Sequence, residues 1–346
     1  MENKLNICGE LVDWAIVLSK RAVAKQSVVF KVAFIFTLAT FFMGCTYMGI
    51  KEIPLEQLKQ KYTNAQSKFI EIEGMSVHYR DEGEGPVLIL LHGVLSSLHT
   101  WDGWQHELGD HYRIIRLDLP GFGLTGPSVD AEYNPEKAVE LFHKFVTAMK
   151  VDKFYLAGNS LGGFIGWNYA LKYPEKVERM ILLDPVSYTQ DMPWALGLIS
   201  TPVIGDVARV MTPKFMVDMN VEEVYGDDTR ITKAVYDRYF ELIMRPGNRS
   251  SMVNVAKALK KYRQDPQLSA HIKDIQVPTL LMWGESDRWV PVQMVVNWQR
   301  DLPSVEKRIY PGVGHIPMEE IPIQTARDAD QFFQAGSVVQ AFHLSE

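Results

Sequence analysis

Gly158-Asn159-Ser160-Leu161-Gly162 is the stretch on which the reading of this chain turns. It fits the pattern G-x-S-x-G, and its flanks suit it. Before it, Lys153-Phe-Tyr-Leu-Ala157 is short and apolar and reads as a buried strand. After it, Gly163-Phe-Ile-Gly-Trp-Asn-Tyr-Ala-Leu-Lys172 reads as a helix. A strand that turns sharply into a helix holds its middle residue in a strained conformation, with the side chain projecting from the turn. Glycines on either side remove the Cβ atoms that so tight a fold would crowd. The expectation is a nucleophilic Ser160 hydroxyl. The backbone N–H of Leu161 then sits at a helix N-terminus, where it can meet a developing oxyanion.

Outward from this turn, short apolar segments alternate with helical ones. Pro86–His92 is nearly all apolar, as a strand buried on both faces should be. Tyr112–Asp118, Phe154–Ala157, Met180–Asp184, Thr279–Trp283 and Glu306–Tyr310 read as further strands, and Phe69–Ile72 with Met75–Tyr79 as an edge hairpin. Helical patterns lie near 135–149, 161–173, 291–300 and 322–334. This alternation predicts an α/β fold with a mostly parallel central sheet flanked by helices.

The alternation breaks after Asp184. Residues 186–273 keep helical periodicity without a convincing strand and are punctuated by Pro193, Pro202, Pro213 and Pro246. They read as an inserted helical cap over the C-terminal edge of the sheet, where ligands bind in open α/β sheets. Its Met and aromatic residues supply mainly the cap's own core, with a minority left to line an apolar pocket. The expected organisation is an N-terminal signal or membrane segment over 1–50, a tether over 51–66 and a core over 67–185 and 274–336. The cap covers 186–273 and a C-terminal tail 337–346.

A serine hydroxyl needs a base, and the base needs an orienting acid. Gly284-Glu-Ser-Asp287-Arg-Trp-Val-Pro291 follows one strand and places Asp287 where the loop turns into the next helix. Tyr310-Pro-Gly-Val-Gly-His315 follows the last strand, and Gly312 and Gly314 give that loop the freedom to bring His315 beside Ser160. Asp184, at the end of an earlier strand, is the rival acid. His92-Gly93-Val94-Leu95 follows a buried strand directly, so the Val94 N–H is expected to pair with that of Leu161 as the oxyanion hole. His92 is read as a loop-holding residue and Asp118 as a loop organiser.

These parts, HG-V-L, D-L-P-G-F-G, G-N-S-L-G-G, W-G-E-S-D and G-V-G-H-I-P-M-E-E, occur in that order between about residues 67 and 336. In this the chain resembles the α/β-hydrolase-fold serine esterases and lipases, in which the triad runs Ser, Asp, His along the chain. The resemblance implies ester hydrolysis through an acyl-enzyme, with a small-molecule ester or lipid as substrate and no metal or organic cofactor. Haloalkane dehalogenases and epoxide hydrolases resemble the same body but use Asp as nucleophile, which Ser160 excludes. The meta-cleavage-product C–C hydrolases share G-N-S-x-G-G and D-R-x-V-P and stand as the alternative. They usually carry Trp after the catalytic His, where this chain has Ile316. A non-catalytic ligand sensor on the same fold is the remaining reading.

Composition narrows the partners. The 346 residues are 47% hydrophobic with a formal net charge of −6, and there is no concentrated basic face to suit nucleic acid. The only cysteines, Cys8 and Cys45, precede the body, so no disulfide framework or cysteine site is expected in it. Val32–Ile50 carries no charge, and Lys20, Arg21, Lys25 and Lys31 precede it, a positive-inside flank. Within it, Phe42-Met43-Gly44-Cys45 resembles a bacterial lipobox, as in small bacterial lipoprotein lipases. That implies lipidation at Cys45 and an extracytoplasmic, membrane-associated body. An uncleaved anchor is one alternative, since nineteen uncharged residues are about enough to span a bilayer, and an ordinary cleaved signal is the other. Residues 1–27 are long for a signal n-region, which suggests a translation start at Val28 or Val29.

Overall fold

Apolar strand segments of five to eight residues pair into a single eight-stranded sheet in the computed structural model, which describes residues 47–343. The strands are β1 (Ser67–Ile72), β2 (Met75–Glu82), β3 (Val87–Leu91), β4 (Arg113–Leu117), β5 (Phe154–Asn159), β6 (Val177–Leu183), β7 (Thr279–Gly284) and β8 (Glu306–Tyr310). Their order is β1-β2-β4-β3-β5-β6-β7-β8. The two pairings of β2, with β1 and with β4, are antiparallel, and every pairing from β4 to β8 is parallel. Leu88–Leu91, Leu156, Ala157, Met180–Leu183 and Leu280–Trp283 are wholly buried, which is why these segments lack any polar alternation.

Helices cover both faces. After α1 (Leu55–Tyr62) and α2 (Asp102–Leu108) comes α3 (Pro135–Ala148). It starts on an Asn134 side chain that accepts the Lys137 N–H at 2.8 Å, with Pro135 in the first turn. Its Val139, Phe142, Phe145 and Val146 are buried against the sheet. The next helix, α4 (Leu161–Lys172), approaches so closely that a Cβ on Gly162 would lie 2.3 Å from the Leu91 carbonyl oxygen.

Between β6 and β7 the described chain forms five α-helices and no strand: α5 (Trp194–Ile199), α6 (Pro202–Val210), α7 (Lys214–Val224), α8 (Lys233–Ile243) and α9 (Asn248–Arg263). They rest on the loops beyond the C-terminal strand ends. The Asn248 amide donates to Gly123 O, and Val224 O accepts the His315 N–H.

Three boundaries differ from expectation. Residues 51–66 are docked against the body. Ile53 N–H donates to Met244 O, and Leu58 and Tyr62 of α1 bury against Leu124 and Leu242, because the segment carries an apolar face. The helix expected from Pro291 begins three residues later as α10 (Met294–Asp301). After the short α11 (Pro317–Glu320), α12 (Pro322–His343) continues through the expected tail. Residues 335–343 contain no proline, and their one glycine costs only about 1 kcal/mol.

Candidate active site

The turn between β5 and α4 puts Ser160 at φ 53°, ψ −110°, a left-handed conformation that a side chain adopts only when its surroundings impose it. They do so here through three backbone bonds. Ser160 N–H donates to Leu183 O at 2.9 Å, while Ser160 O accepts from Phe164 N at 2.9 Å and from Val186 N at 3.3 Å. A Cβ on Gly158 would stand 2.4 Å from Gly162 O, so only glycine closes the turn. The Leu161 N–H precedes the first intrahelical bond and stays available at the helix N-terminus.

Asp287 and His315 come together from the ends of β7 and β8. The His315 Nδ1–H donates to Asp287 Oδ2 at 2.7 Å, and both side chains are buried. Asp287 Oδ1 is held by the N–H groups of Trp289 (2.6 Å) and Val290 (3.0 Å). The Asn159 amide, one residue before Ser160, donates to His315 O at 2.9 Å and ties the two loops together. Buried His315 Nε2 has no protein partner, the state required of a base awaiting a proton.

The His315 loop is held by close packing. A Cβ on Gly314 would meet Val224 O at 2.4 Å, and one on Gly284 would meet Gly314 O at 1.9 Å, so here glycine permits contact where the sequence suggested freedom. Gly312, at φ 68° with open space around it, is the conformational glycine.

Val94 and Leu95 follow β3, and Leu95 sits at φ 60°, a second strained position. A Cβ on the adjoining Gly93 would lie 3.2 Å from the Ser160 Cβ, which brings the loop against Ser160. His92 bonds Gly93 O through Nδ1 (2.7 Å) and accepts the Leu119 N–H at Nε2 (2.9 Å), so both ring nitrogens serve the loop. Burial pushes its pKa down and keeps it neutral. Asp118 accepts from Leu98 N, Leu124 N and His78 Nδ1. Burial opposes its charge, but the His78 partner works against this, and its carboxyl lies well below the usual range.

Asp184 also lies at the centre. Its Oδ1 accepts the Gly284 N–H at 2.9 Å, while its Oδ2 is buried without a partner. Burial, then the Asp287 charge beside it, raises its pKa well above the ordinary carboxylate value. Asp184, Asp287 and His315 have ligand-capable atoms within 4.8 Å of one another, the one such group among the described residues.

Sequence reasoning missed two parts. It assigned no role to Asn159. It also passed over Glu320, whose carboxylate accepts the N–H groups of Gly226 (3.0 Å), Asp227 (3.1 Å) and Gly314 (2.8 Å) and pairs with Arg230. Glu320 thereby joins the His315 loop to the cap. A glutamate so near a histidine loop was visible, but the partners it serves are distant in the chain. Glu320→Ala is expected to cost roughly 2–3 kcal/mol of stability, because it strands at least one fully buried N–H. Urea denaturation measures this; a midpoint equal to wild type would show the tie to be dispensable.

Two apolar clefts reach residues next to this site, the first Leu161 and the second Leu95. The first, about 930 Å³ of empty space partly open to solvent, reaches Leu161 past Phe122, Leu119 and Tyr133. The second, about 750 Å³, reaches Leu95 from the cap and is lined by Trp194, Met211, Met216 and Ile243 among others. Cys45 lies outside the described residues. Among them, no helix is long and apolar enough to cross a membrane.

This chain belongs to the α/β-hydrolase fold family, whose model matches residues 86–322. It is similar to the 2-hydroxy-6-oxo-6-phenylhexa-2,4-dienoate hydrolase of Burkholderia cepacia, at 27% identity over 268 residues, covering 72% of this chain and 90% of the relative. Among solved structures it resembles a membrane phospholipase A described as a bacterial virulence factor, with TM-score 0.68 and 24% identity over 89% of this chain and 99% of that one. It resembles equally a meta-cleavage product hydrolase of Pseudomonas fluorescens IP01, with TM-score 0.68 and 24% identity over 79% and 100%. The fold and these relatives make the protein a hydrolase.

Proposed function

We propose that this hydrolase cleaves carboxylic esters with an apolar acyl group, through a covalent intermediate on Ser160. The observation that carries the reading is a buried Asp287–His315 pair with a free Nε2, tied through the Asn159 amide to the strained Ser160 turn, together with two apolar clefts that reach Leu161 and Leu95. His315 Nε2 takes the Ser160 proton as Oγ attacks the ester carbonyl. The N–H groups of Val94 and Leu161 hold the oxyanion, and His315 returns the proton to the departing alcohol. A water, activated in the same way, then releases the acid. Asp287 keeps the imidazole in the tautomer that leaves Nε2 unprotonated.

The curated relatives favour a second reading, C–C bond hydrolysis, over ester cleavage. Their named substrates are carboxylates, which a pocket would meet with a cation. The second cleft has no cationic lining residue, and Lys137 beside the first is paired with Glu73 at 2.8 Å and Asp130 at 3.3 Å. That lining is the ground for preferring the ester.

Hydrolysis of p-nitrophenyl esters graded in acyl length decides between them. With about 0.8 kcal/mol per buried CH₂, kcat/KM is expected to climb about fourfold per methylene until the cleft is full. A kcat/KM on 2-hydroxy-6-oxo-6-phenylhexa-2,4-dienoate above that of the best ester would establish the second reading. The uncharged run over 32–50 further supports a membrane-associated, extracytoplasmic protein, held by lipid on Cys45 or by an uncleaved anchor. Incorporation of labelled palmitate separates the two.

A further inference from the structure

Of the thirteen large apolar side chains exposed among the described residues, seven fall between 194 and 219, where α5, α6 and α7 meet. Trp194 is 41% exposed, Val203 77%, Val210 62% and Phe215 45%; Ile204, Val207 and Met219 complete the set. Val203, Val207 and Val210 recur at helical spacing and form one stripe along α6, with Gly205 and Ala208 buried on the other side. The charges on this surface are paired: Asp206 with Arg209 at 3.7 Å, and Lys214 with Asp218 at 2.7 Å. Single exposed apolar residues need no explanation, but a contiguous set does.

Two further observations indicate what covers it. The second cleft opens here, since Trp194, Ile204 and Val207 are both exposed and part of its lining, and its inner end reaches Leu95 beside the oxyanion loop. The N-terminal segment also arrives here. Gly49 O accepts the Thr212 N–H at 3.3 Å and Arg249 Nη1 at 2.7 Å, and Thr212 lies in the link between α6 and α7. Tyr47 and Ile50 add two more exposed apolar side chains, and residue 50 ends the uncharged run that begins at residue 32.

We infer that this face of the cap docks on a lipid bilayer, and that the second cleft draws its acyl chain from that surface. A protein partner or a second copy seated on the patch would cover the cleft's mouth, whereas a bilayer supplies what the cleft is lined to hold. Paired charges suit the headgroup level, with the apolar stripe beneath it. The acyl-chain half rests on the ester reading; the docking half does not.

The test uses full-length protein reconstituted into phosphatidylcholine vesicles. The emission difference between wild type and Trp194→Phe isolates Trp194, and brominated acyl chains are expected to quench it. An unquenched difference overturns the docking. In the second arm, Val203→Ser, Val210→Ser and Phe215→Ser are combined; all three residues lie outside the cleft lining. This variant is expected to keep wild-type kcat/KM on a soluble butyrate ester and to lose about tenfold on a long-chain ester carried in vesicles. Equal rates on vesicles overturn the proposal. A variant that halves the mass of the detergent-solubilised protein without loss on vesicles overturns it in favour of a contact between copies. Absence of ester hydrolysis in every protein would sink the ester reading, while the quenching still decides the docking.

Discussion

On the proposed ester reading, Ser160→Ala is expected to lower kcat by roughly 10⁴–10⁶-fold, because a nucleophile and its base act as one unit and the residual rate comes from binding and the oxyanion donors alone. The change removes one oxygen from a buried side chain and leaves the backbone bonds that impose its conformation, from Leu183 O, Phe164 N and Val186 N, in place. KM and melting temperature are therefore expected to stay near wild type, so the loss reads as chemistry and not as unfolding. A serine-directed organophosphonate should label the wild type and leave the variant unmodified. Retention of wild-type kcat by the variant would remove Ser160 from the mechanism.

Asp287→Asn is the second large effect, a fall in kcat on the order of 10³–10⁴-fold. An amide can donate to Nδ1 and so favours the tautomer in which Nε2 carries the proton and cannot act as base. Asp184→Asn, one position away in space, is expected to lose less than about tenfold, since it does not face His315 through a hydrogen bond. Asp184 also links stability to pH. Burial and then the Asp287 charge raise the folded-state pKa of Asp184. Its contribution to stability is thus complete below the unfolded pKa and is lost as pH rises through the folded one, because the unfolded chain releases a proton that the folded chain keeps. Asparagine has no such proton. The melting temperature of Asp184→Asn relative to wild type should therefore rise as pH is raised from about 4 to about 8. A difference that stays flat or falls would mean Asp184 is ionised in the folded protein. A kcat loss larger than that of Asp287→Asn would make it the triad acid.

Local pattern carried most of the fold. The apolar runs at 87–91, 154–157 and 279–283 read as strands covered on both faces, and the glycine-flanked serine between a strand and a helix read as a tight turn, and the structure has both. Boundaries were less legible. Proline at 291 marks a turn as readily as a helix start, and residues 51–66 looked polar enough for a tether although Leu58 and Tyr62 give them a face to bury.

What the sequence alone determined is the order and chemical type of the parts: strand, serine turn, helical insertion, acid loop, histidine loop. Each follows from short-range rules in which neighbours in the chain are neighbours in space. Only the tertiary structure decided which carboxylate meets His315, since Asp184 and Asp287 both follow core strands and differ in hydrogen bonding across the sheet ends. It alone showed that Gly284 and Gly314 serve close packing and that Glu320 collects N–H groups from two loops, one of them more than 90 residues away in sequence. It also gathered the apolar residues of α5, α6 and α7 around one cleft mouth. These are long-range juxtapositions, and the chain's local pattern does not encode which distant backbone will stand opposite a given side chain.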